Sequence, residues 1–176
     1  YYICYDNEAY GNTGMQLSPA TPYGARTATS PCSLQHPSGA SQEKKDIFEI
    51  WRAHTPPYMA TVSPRFPLDL EEKFARAEHY PGPKLFLAFA ACPTGWLFDP
   101  AYTPDVARLA VECGIWPLKV VINGAVTHTY IPKRKPVEEY LKLQGRFRHL
   151  FEPIRQDEAI RHIQARVDDY WKQVNG

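Results

Sequence analysis

The sequence opens on Tyr1-Tyr2-Ile3-Cys4-Tyr5-Asp6-Asn7-Glu8-Ala9-Tyr10-Gly11-Asn12-Thr13-Gly14-Met15-Gln16. Residues 1–5 form an apolar, β-prone run, which is typical of a buried strand in a parallel sheet. Because such a strand needs neighbours on both sides, we expect the chain to begin inside a domain. Residues 6–16 are polar and rich in glycine, which predicts a loop at the carboxyl end of that strand.

Strand and helix patterns alternate along the following hundred or so residues. Strands are predicted at 58–62 and 84–91, helices at 44–54 and 69–79, and a further helix between Thr103 and Gly114. Thr103 is the predicted N-cap of the last of these helices, and Gly114 is predicted to follow its carboxyl end. This order favours an α/β fold with a mostly parallel sheet flanked by helices.

The alternation ends at a predicted β-hairpin. Asn123-Gly124 lies between two β-prone runs, 118–122 and 126–131, and this dipeptide is a strong hairpin signal. Two helical patterns follow, at 137–143 and 157–174. We expect them to form a helical C-terminal extension that packs on another surface and does not extend the sheet.

The composition excludes several classes of protein. The chain has 176 residues, with 44% hydrophobic and 22% charged residues, as in an ordinary globular domain. A formal net charge of +1 gives no strong field for nucleic acid or an anionic membrane. No apolar run approaches the roughly 20 residues that span a bilayer, and no signal peptide is visible. We therefore expect a cytoplasmic protein.

The four cysteines, Cys4, Cys32, Cys92 and Cys113, show no CxxC spacing. Cys4 and Cys113 fall in a predicted strand and helix, so they are interpreted as buried, reduced thiols. Reduced thiols fit an intracellular compartment. The six histidines, His36, His54, His79, His128, His149 and His162, show no metal-ligand spacing.

The loop at 6–16 has the chemistry of a ligand site. Ligands of open α/β sheets bind beyond the carboxyl ends of strands. Asp6 and Asn7 offer oxygen donors suited to Mg²⁺, and the backbone N–H groups near Gly11 and Gly14 could approach a phosphate. Magnesium with a diphosphate is one chemistry that uses all of these groups. The alternative is a plain turn, which is the commoner meaning of such a composition.

Five blocks near the start of the chain stand out: Asn7-Glu8-Ala9-Tyr10, Asn12-Thr13-Gly14, Gln16, Ala20-Thr21-Pro22 and Gly24-Ala25. Together they resemble the thiamine-diphosphate motif of the β subunits of pyruvate and other 2-oxoacid:ferredoxin oxidoreductases. In that family a Gly-Asp-Gly sequence precedes this part of the motif, and here it would lie before Tyr1. Leu17 departs from the family, where a polar or basic residue often follows the glutamine, so the substrate preference stays open.

The resemblance implies a role for each residue of the loop. The Asn7 side chain and the Ala9 carbonyl would coordinate Mg²⁺, Asn12 would face the thiazolium and the substrate, and Thr13 and Gly14 would hold the diphosphate. Gln16 would support the residues that touch the cofactor. Asn12 is accordingly the predicted catalytic residue.

Cys92 follows the predicted strand at 84–91, in the segment Ala90-Ala91-Cys92-Pro93-Thr94-Gly95-Trp96. Its position puts it on the same sheet edge as the Asn12 loop. A thiolate there could bind a soft metal, although an isolated cysteine is more often part of a core. The family resemblance implies that Cys92 is one ligand of a [4Fe-4S] cluster, with the other ligands upstream of Tyr1. Cys32 has no role in the family.

The resemblance continues to the end of the chain, through blocks at 96–99, 107–112, 114, 116–118 and 135–147. It implies that residues 1–92 are the C-terminal part of a thiamine-diphosphate-binding domain, incomplete at its N-terminus. Residues 93–176 would be the C-terminal region of the β subunit, packed on that domain. The basic run Lys133-Arg134-Lys135 could contact a partner subunit or ferredoxin, but such runs are more often solvated surface.

The family's reaction is the oxidative decarboxylation of a 2-oxoacid, most often pyruvate, to acyl-CoA and CO₂. Electrons pass through the iron–sulfur cluster to ferredoxin, and the enzyme contains α, γ and δ subunits beside the β subunit. Two other functions remain open from the residues. One is a thiamine-diphosphate decarboxylase or synthase without a cluster, and the other is a non-catalytic α/β interaction subunit.

Overall fold

A computed structural model describes residues 1–33 and 37–175, and its centre is a five-stranded sheet in the order β1-β3-β2-β4-β5. The strands are β1 (Tyr2–Asp6), β2 (Tyr58–Val62), β3 (Lys84–Phe89), β4 (Lys119–Ile122) and β5 (Ala125–His128). β3 is parallel to both β1 and β2. β4 is antiparallel to β2 and forms a hairpin with β5. The predicted α/β class and the hairpin are confirmed.

Six α-helices surround the sheet in the described residues: α1 (Ile47–Arg52), α2 (Pro67–Ala77), α3 (Pro93–Trp96), α4 (Thr103–Glu112), α5 (Val137–Lys142) and α6 (Asp157–Asn175). 3-10 turns cover Pro100–Tyr102 and Gly145–Leu150. α6 is the longest helix, and its residues Ile160, Val167 and Trp171 pack into the core at helical spacing. As predicted, the C-terminal helices do not extend the sheet. Within the described ranges, no helix combines the length and apolar character needed to cross a membrane.

The sheet has a hydrophobic cluster on each face because strand side chains alternate. β2 is buried along its whole length, as expected for a central strand. Met59 joins the larger cluster, which also contains residues of α4, α5 and α6. Tyr58, Ala60 and Val62 join the smaller cluster, which the apolar side of α2 covers. The larger cluster contains residues from both 1–92 and 93–176, so the two ranges share one core.

Among the described residues β1 pairs only with β3, and Tyr2 and Tyr5 are exposed. The second neighbour of β1 is expected upstream of Tyr1 and stays a prediction. One local prediction is wrong. Thr103 is the first residue of α4 and not its N-cap. A 3-10 turn capped by Asp99 leads directly into the helix, and the Thr103 hydroxyl donates to the Pro100 carbonyl within that turn. Gly114 follows α4 with φ +81°, as predicted.

Candidate cofactor site at the carboxyl edge of the sheet

The loop at residues 6–16, here called the motif loop, lies beside residues 90–96, here called the Cys92 segment. β1 and β3 are parallel neighbours, so both segments leave the sheet at the same edge. The Ala90 N–H donates to the Asp6 carbonyl (3.1 Å), and the Trp96 indole N–H donates to the Asn7 carbonyl (3.0 Å). The structure thus holds the predicted cofactor loop and the predicted cluster cysteine in adjacent, hydrogen-bonded segments.

The motif loop closes on itself as a compact turn. Tyr10 and Gln16 exchange backbone hydrogen bonds of 3.1 and 3.2 Å, and the Gly14 N–H donates to the Gly11 carbonyl (3.2 Å). Gly14 has φ +100°, a conformation that L side chains rarely adopt. The glycine predicted to approach a phosphate is therefore required by the turn itself.

The outer part of this turn is open to solvent. Asn12, Thr13 and Gly14 are exposed, and a Cβ added to Gly14 would meet no atom within 4 Å. The Thr13 hydroxyl donates to the Gln16 side-chain oxygen (2.8 Å), so Gln16 orients Thr13. A ligand could approach the backbone of the turn from this side.

The predicted magnesium ligands lie between this outer turn and the strand. Asn7 and Ala9 are half-buried, and the Asn7 side-chain oxygen accepts a hydrogen bond from the Ala9 N–H (3.3 Å). A Cβ on Gly11 would come within 2.9 Å of the Asn7 amide nitrogen. Gly11 thus leaves the space that the Asn7 amide occupies.

Beneath the loop lies a network of four charged side chains: Asp6, Glu8 and Arg146, which are buried, and Lys44, which is half-buried. The Lys44 ammonium contacts carboxylate oxygens of Asp6 (2.6 Å) and Glu8 (2.8 Å). The Arg146 guanidinium contacts the other oxygen of Glu8 at 2.6 Å, and the side chains of this pair are only 3% and 4% exposed. With two carboxylates and two cations, the network is neutral overall.

The pKa values of the network follow from burial and pairing. Burial favours the neutral acid, and it raises the pKa of Asp6 despite the opposing charge of Lys44. Burial opposes the charge of Glu8 as well, yet the combined charges of Lys44 and Arg146 outweigh burial and hold its pKa below the ordinary range. Burial also opposes the charge of Lys44, but the two carboxylates raise its pKa. Glu8 is therefore an ionised carboxylate at neutral pH and is not a proton donor there.

Three further contacts connect the network to its surroundings. Arg146 donates from Nε to the Gln144 side-chain oxygen (2.9 Å), and its guanidinium lies 3.7 Å from the centroid of the Trp96 ring. The Thr21 hydroxyl donates to the Glu8 carbonyl (2.7 Å). The network thus joins the motif loop, the Cys92 segment and the 3-10 turn that contains Arg146.

The sequence comparisons agree with this geometry. Residues 1–87 match the family model described as the C-terminal TPP binding domain of thiamine pyrophosphate enzymes. The chain is 47% identical to pyruvate synthase subunit PorB of Methanothermobacter thermautotrophicus over 98% of its own length and 58% of that protein. It is 50% identical to PorB of Methanothermobacter marburgensis, with the same coverage.

It is also 42% identical to ketoisovalerate oxidoreductase subunit VorB of Pyrococcus abyssi, over 98% of this chain and 55% of that protein. This chain belongs to the 2-oxoacid:ferredoxin oxidoreductase β-subunit family. The chain spans about half the length of the relatives it matches. Its thiamine-diphosphate-binding domain is the part at 1–87 that carries the motif loop.

Cys92 of this β-subunit sequence is half-buried and immediately precedes α3. In the described ranges, 1–33 and 37–175, no group of three or more His, Cys, Asp or Glu residues could hold a metal ion. A [4Fe-4S] cluster needs four thiolates. Cys92 could therefore supply one ligand of such a cluster, and the described residues supply no complete site.

The other cysteines and the basic run have simpler surroundings. All four cysteines are free thiols. Cys113 is buried and donates to the Pro136 carbonyl, and burial raises its pKa to about 11, as expected for an inert core thiol. In the basic run, Arg134 pairs with Asp168 and Lys135 with Glu112.

The histidines that the structure describes form no metal cluster. His36 lies outside the described residues.

Sequence reasoning missed Lys44 and Arg146. Two acidic residues, Asp6 and Glu8, flank Asn7 directly after a strand, and this is a signal for cations packed beneath the loop. It does not say which cations, because Lys44 is 36 residues and Arg146 138 residues from Glu8. Arg146 does fall within one of the C-terminal blocks that carry the family resemblance.

Proposed function

We propose that this chain is the thiamine-diphosphate-binding part of a 2-oxoacid:ferredoxin oxidoreductase. The enzyme would oxidatively decarboxylate a 2-oxoacid to acyl-CoA and CO₂ and pass the electrons through a [4Fe-4S] cluster to ferredoxin. The observation that carries the proposal is the hydrogen-bonded contact between the motif loop and the Cys92 segment. Pyruvate is the proposed substrate, since pyruvate synthase relatives reach 50% identity and the ketoisovalerate relatives 42%.

The oxygen donors of the motif loop fit a magnesium diphosphate. Asn7 and Ala9 offer a neutral amide oxygen and a neutral carbonyl, whereas the neighbouring carboxylates of Asp6 and Glu8 are already paired with Lys44 and Arg146. Neutral donors suit a Mg²⁺ ion whose charge is already balanced by phosphate oxygens. We propose that Asn7 and Ala9 supply two magnesium ligands and that the diphosphate supplies others.

Thr13 and Gly14 are the proposed diphosphate contacts, and Asn12 is the proposed catalytic residue. All three lie on the exposed side of the turn. Bound thiamine diphosphate would supply the carbanion chemistry that cleaves the bond to the departing CO₂. The Asn12 amide would orient the 2-oxoacid and donate a hydrogen bond to oxygen charge that develops during the reaction. Gln16 would hold Thr13 in place through the hydrogen bond already described.

Cys92 is the proposed [4Fe-4S] ligand of this chain. It lies in the segment that the motif loop contacts, so a cluster bound there would be close to the cofactor. The remaining ligands would come from outside the described residues. We further propose that the chain works in the cytoplasm with α, γ and δ subunits, ferredoxin and coenzyme A, and that it binds neither nucleic acid nor membrane.

The test uses the assembled enzyme with Cys92→Ala, and Cys32→Ala is the matched control because Cys32 is also half-buried. We expect Cys92→Ala to remove one reduced-cluster signal in the electron paramagnetic resonance spectrum and to abolish pyruvate-dependent reduction of ferredoxin. Binding of thiamine diphosphate, measured by calorimetry in the presence of Mg²⁺, should persist. Cys32→Ala should behave as the wild type.

Other outcomes would favour the alternative functions. If the iron content and the spectrum are unchanged in Cys92→Ala while thiamine diphosphate still binds, the protein is a cofactor enzyme in which Cys92 has no cluster. If the wild-type assembly shows no saturable binding of thiamine diphosphate with Mg²⁺, a non-catalytic interaction subunit is the better account.

A further inference from the structure

Arg146 contacts the motif loop although it lies 138 residues after Glu8 in the sequence. It belongs to the 3-10 turn Gly145–Leu150, yet its guanidinium is buried against Glu8 in the motif loop (2.6 Å). The guanidinium also covers the ring of Trp96, whose indole N–H donates to the Asn7 carbonyl. The Arg146 carbonyl accepts a hydrogen bond from the Arg26 N–H (2.8 Å). One side chain therefore touches Glu8, the chain neighbour of Asn7, and Trp96, which is hydrogen-bonded to Asn7.

We infer that Arg146 is a positioning residue for cofactor binding, and this inference rests on the proposed function of the motif loop. Through its ion pair with Glu8 and its contact with Trp96, Arg146 holds Asn7 and Ala9 where a magnesium diphosphate can use their oxygens. Arg146 itself does not touch the cofactor, because it lies beneath the loop and is 3% exposed.

The backbone of Glu8 explains why the loop needs this support. Glu8 lies between the two proposed magnesium ligands and has φ 60°, which is uncommon for a residue with a side chain. Such a conformation persists only where the surroundings over-determine it. The carboxylate of Glu8 is held by Lys44 and Arg146, and its carbonyl is held by Thr21. A change at Arg146 therefore acts directly on the residue that separates Asn7 from Ala9.

Variants that change the net charge of the network and variants that keep it can distinguish a positioning role of Arg146 from a purely electrostatic role. Removing the Arg146 charge leaves the network with a net charge of −1 beside the proposed diphosphate site. Removing the Glu8 charge as well restores neutrality, because Asp6 and Lys44 still pair. Arg146→Lys instead keeps the charge but loses the planar group that bridges Glu8, Gln144 and the Trp96 ring.

The experiment compares the assembled wild-type enzyme with Arg146→Met, Arg146→Lys and the double variant Glu8→Gln/Arg146→Met. The control is Arg155→Met, because Arg155 is likewise ion-paired, with Glu138 and Asp157, but is 42% exposed. The readouts are the Kd for thiamine diphosphate at fixed Mg²⁺, the Mg²⁺ concentration for half-saturation, and the thermal unfolding temperature.

We expect Arg146→Met to weaken magnesium-dependent cofactor binding by about 10–100-fold, the usual effect of removing a partner that orients a metal ligand. Arg146→Lys should fold and still show weakened binding. The double variant should recover much of the lost thermal stability but not the affinity, and Arg155→Met should bind normally.

Two results would overturn the inference. If the double variant recovers affinity together with stability, Arg146 serves only to balance charge. If the wild type binds and Arg146→Lys binds equally well, the geometry of the guanidinium is irrelevant. A wild type that does not bind thiamine diphosphate is a different failure, because it rejects the proposed function itself before any variant is measured.

Discussion

The base of the motif loop is buried and charged, whereas its tip is exposed and uncharged. The base, Asp6 and Glu8, carries charges that are buried and paired with Lys44 and Arg146. The tip, Asn12 to Gly14, is exposed, and the hydrogen bond from Thr13 to Gln16 stays within the loop. Nine residues of chain, 6–14, thus contain both one of the most constrained parts of the molecule and one of the most accessible.

This difference separates residues that hold a site from residues that meet a ligand. Buried ion pairs are costly when one partner is lost, so the base should control folding and loop geometry. Exposed amide and hydroxyl groups contribute little to folding, so the tip can be shaped by what it binds. A preorganised binding loop needs both, because groups that touch a ligand must be held by others that do not move.

Glu8→Ala should have the largest effect. It leaves Lys44 with only Asp6 and leaves the buried Arg146 guanidinium without its carboxylate, and breaking a buried pair in this way costs about 3–5 kcal/mol. Denaturant unfolding of the protein measures the loss. Glu139→Ala is the control, because Glu139 is 48% exposed and its nearest cation, Lys135, lies 3.9 Å away.

We expect Glu139→Ala to be close to wild type, since exposed pairs contribute little. If Glu8→Ala is as stable as Glu139→Ala, the base of the loop is not a structural centre and the comparison with the tip fails.

The sequence predicted the tip and the sheet edge, but not the base. Asn12, Thr13 and Gly14 are contiguous, so a local motif is enough to identify them. The adjacency of the motif loop and the Cys92 segment was also predictable, because parallel strands place their carboxyl ends at one edge. The roles proposed for these residues remain predictions.

The partners of Glu8 could not be found in the same way. Lys44 is in an irregular segment, and five α-helices and the hairpin lie between it and Arg146. Tertiary packing decides which cation pairs with a buried carboxylate, and this pairing produces no periodic pattern in the sequence.

Gly95→Ala tests the contact between Met15 of the motif loop and the Cys92 segment, and it should have an intermediate effect. A Cβ on Gly95 would lie 2.0 Å from the terminal methyl carbon of Met15, so Met15 must leave its place. Overpacking of this kind costs about 1–3 kcal/mol. The measurement is again denaturant unfolding.

Adding Met15→Ala to Gly95→Ala frees the overlapping volume and should restore part of the loss, which a double-mutant cycle would record as coupling. Additive effects of the two substitutions would mean that residues 15 and 95 are not in contact, and that the Cys92 segment does not support this part of the motif loop.

Asn12→Ala should have the smallest effect on stability and a large effect on activity. Asn12 is exposed, and exposed substitutions usually change the free energy of unfolding by no more than about 0.5 kcal/mol. If its amide stabilises developing charge on the substrate, kcat of the assembled enzyme should fall about 100-fold, with little change in the Kd for thiamine diphosphate. The control is Thr127→Ala, because Thr127 is exposed on β5 at the opposite edge of the sheet. This variant should change neither the free energy of unfolding nor kcat. A destabilisation of Asn12→Ala comparable to that of Glu8→Ala would show that tip and base form one structural unit, and the division between holding and binding residues would then be wrong.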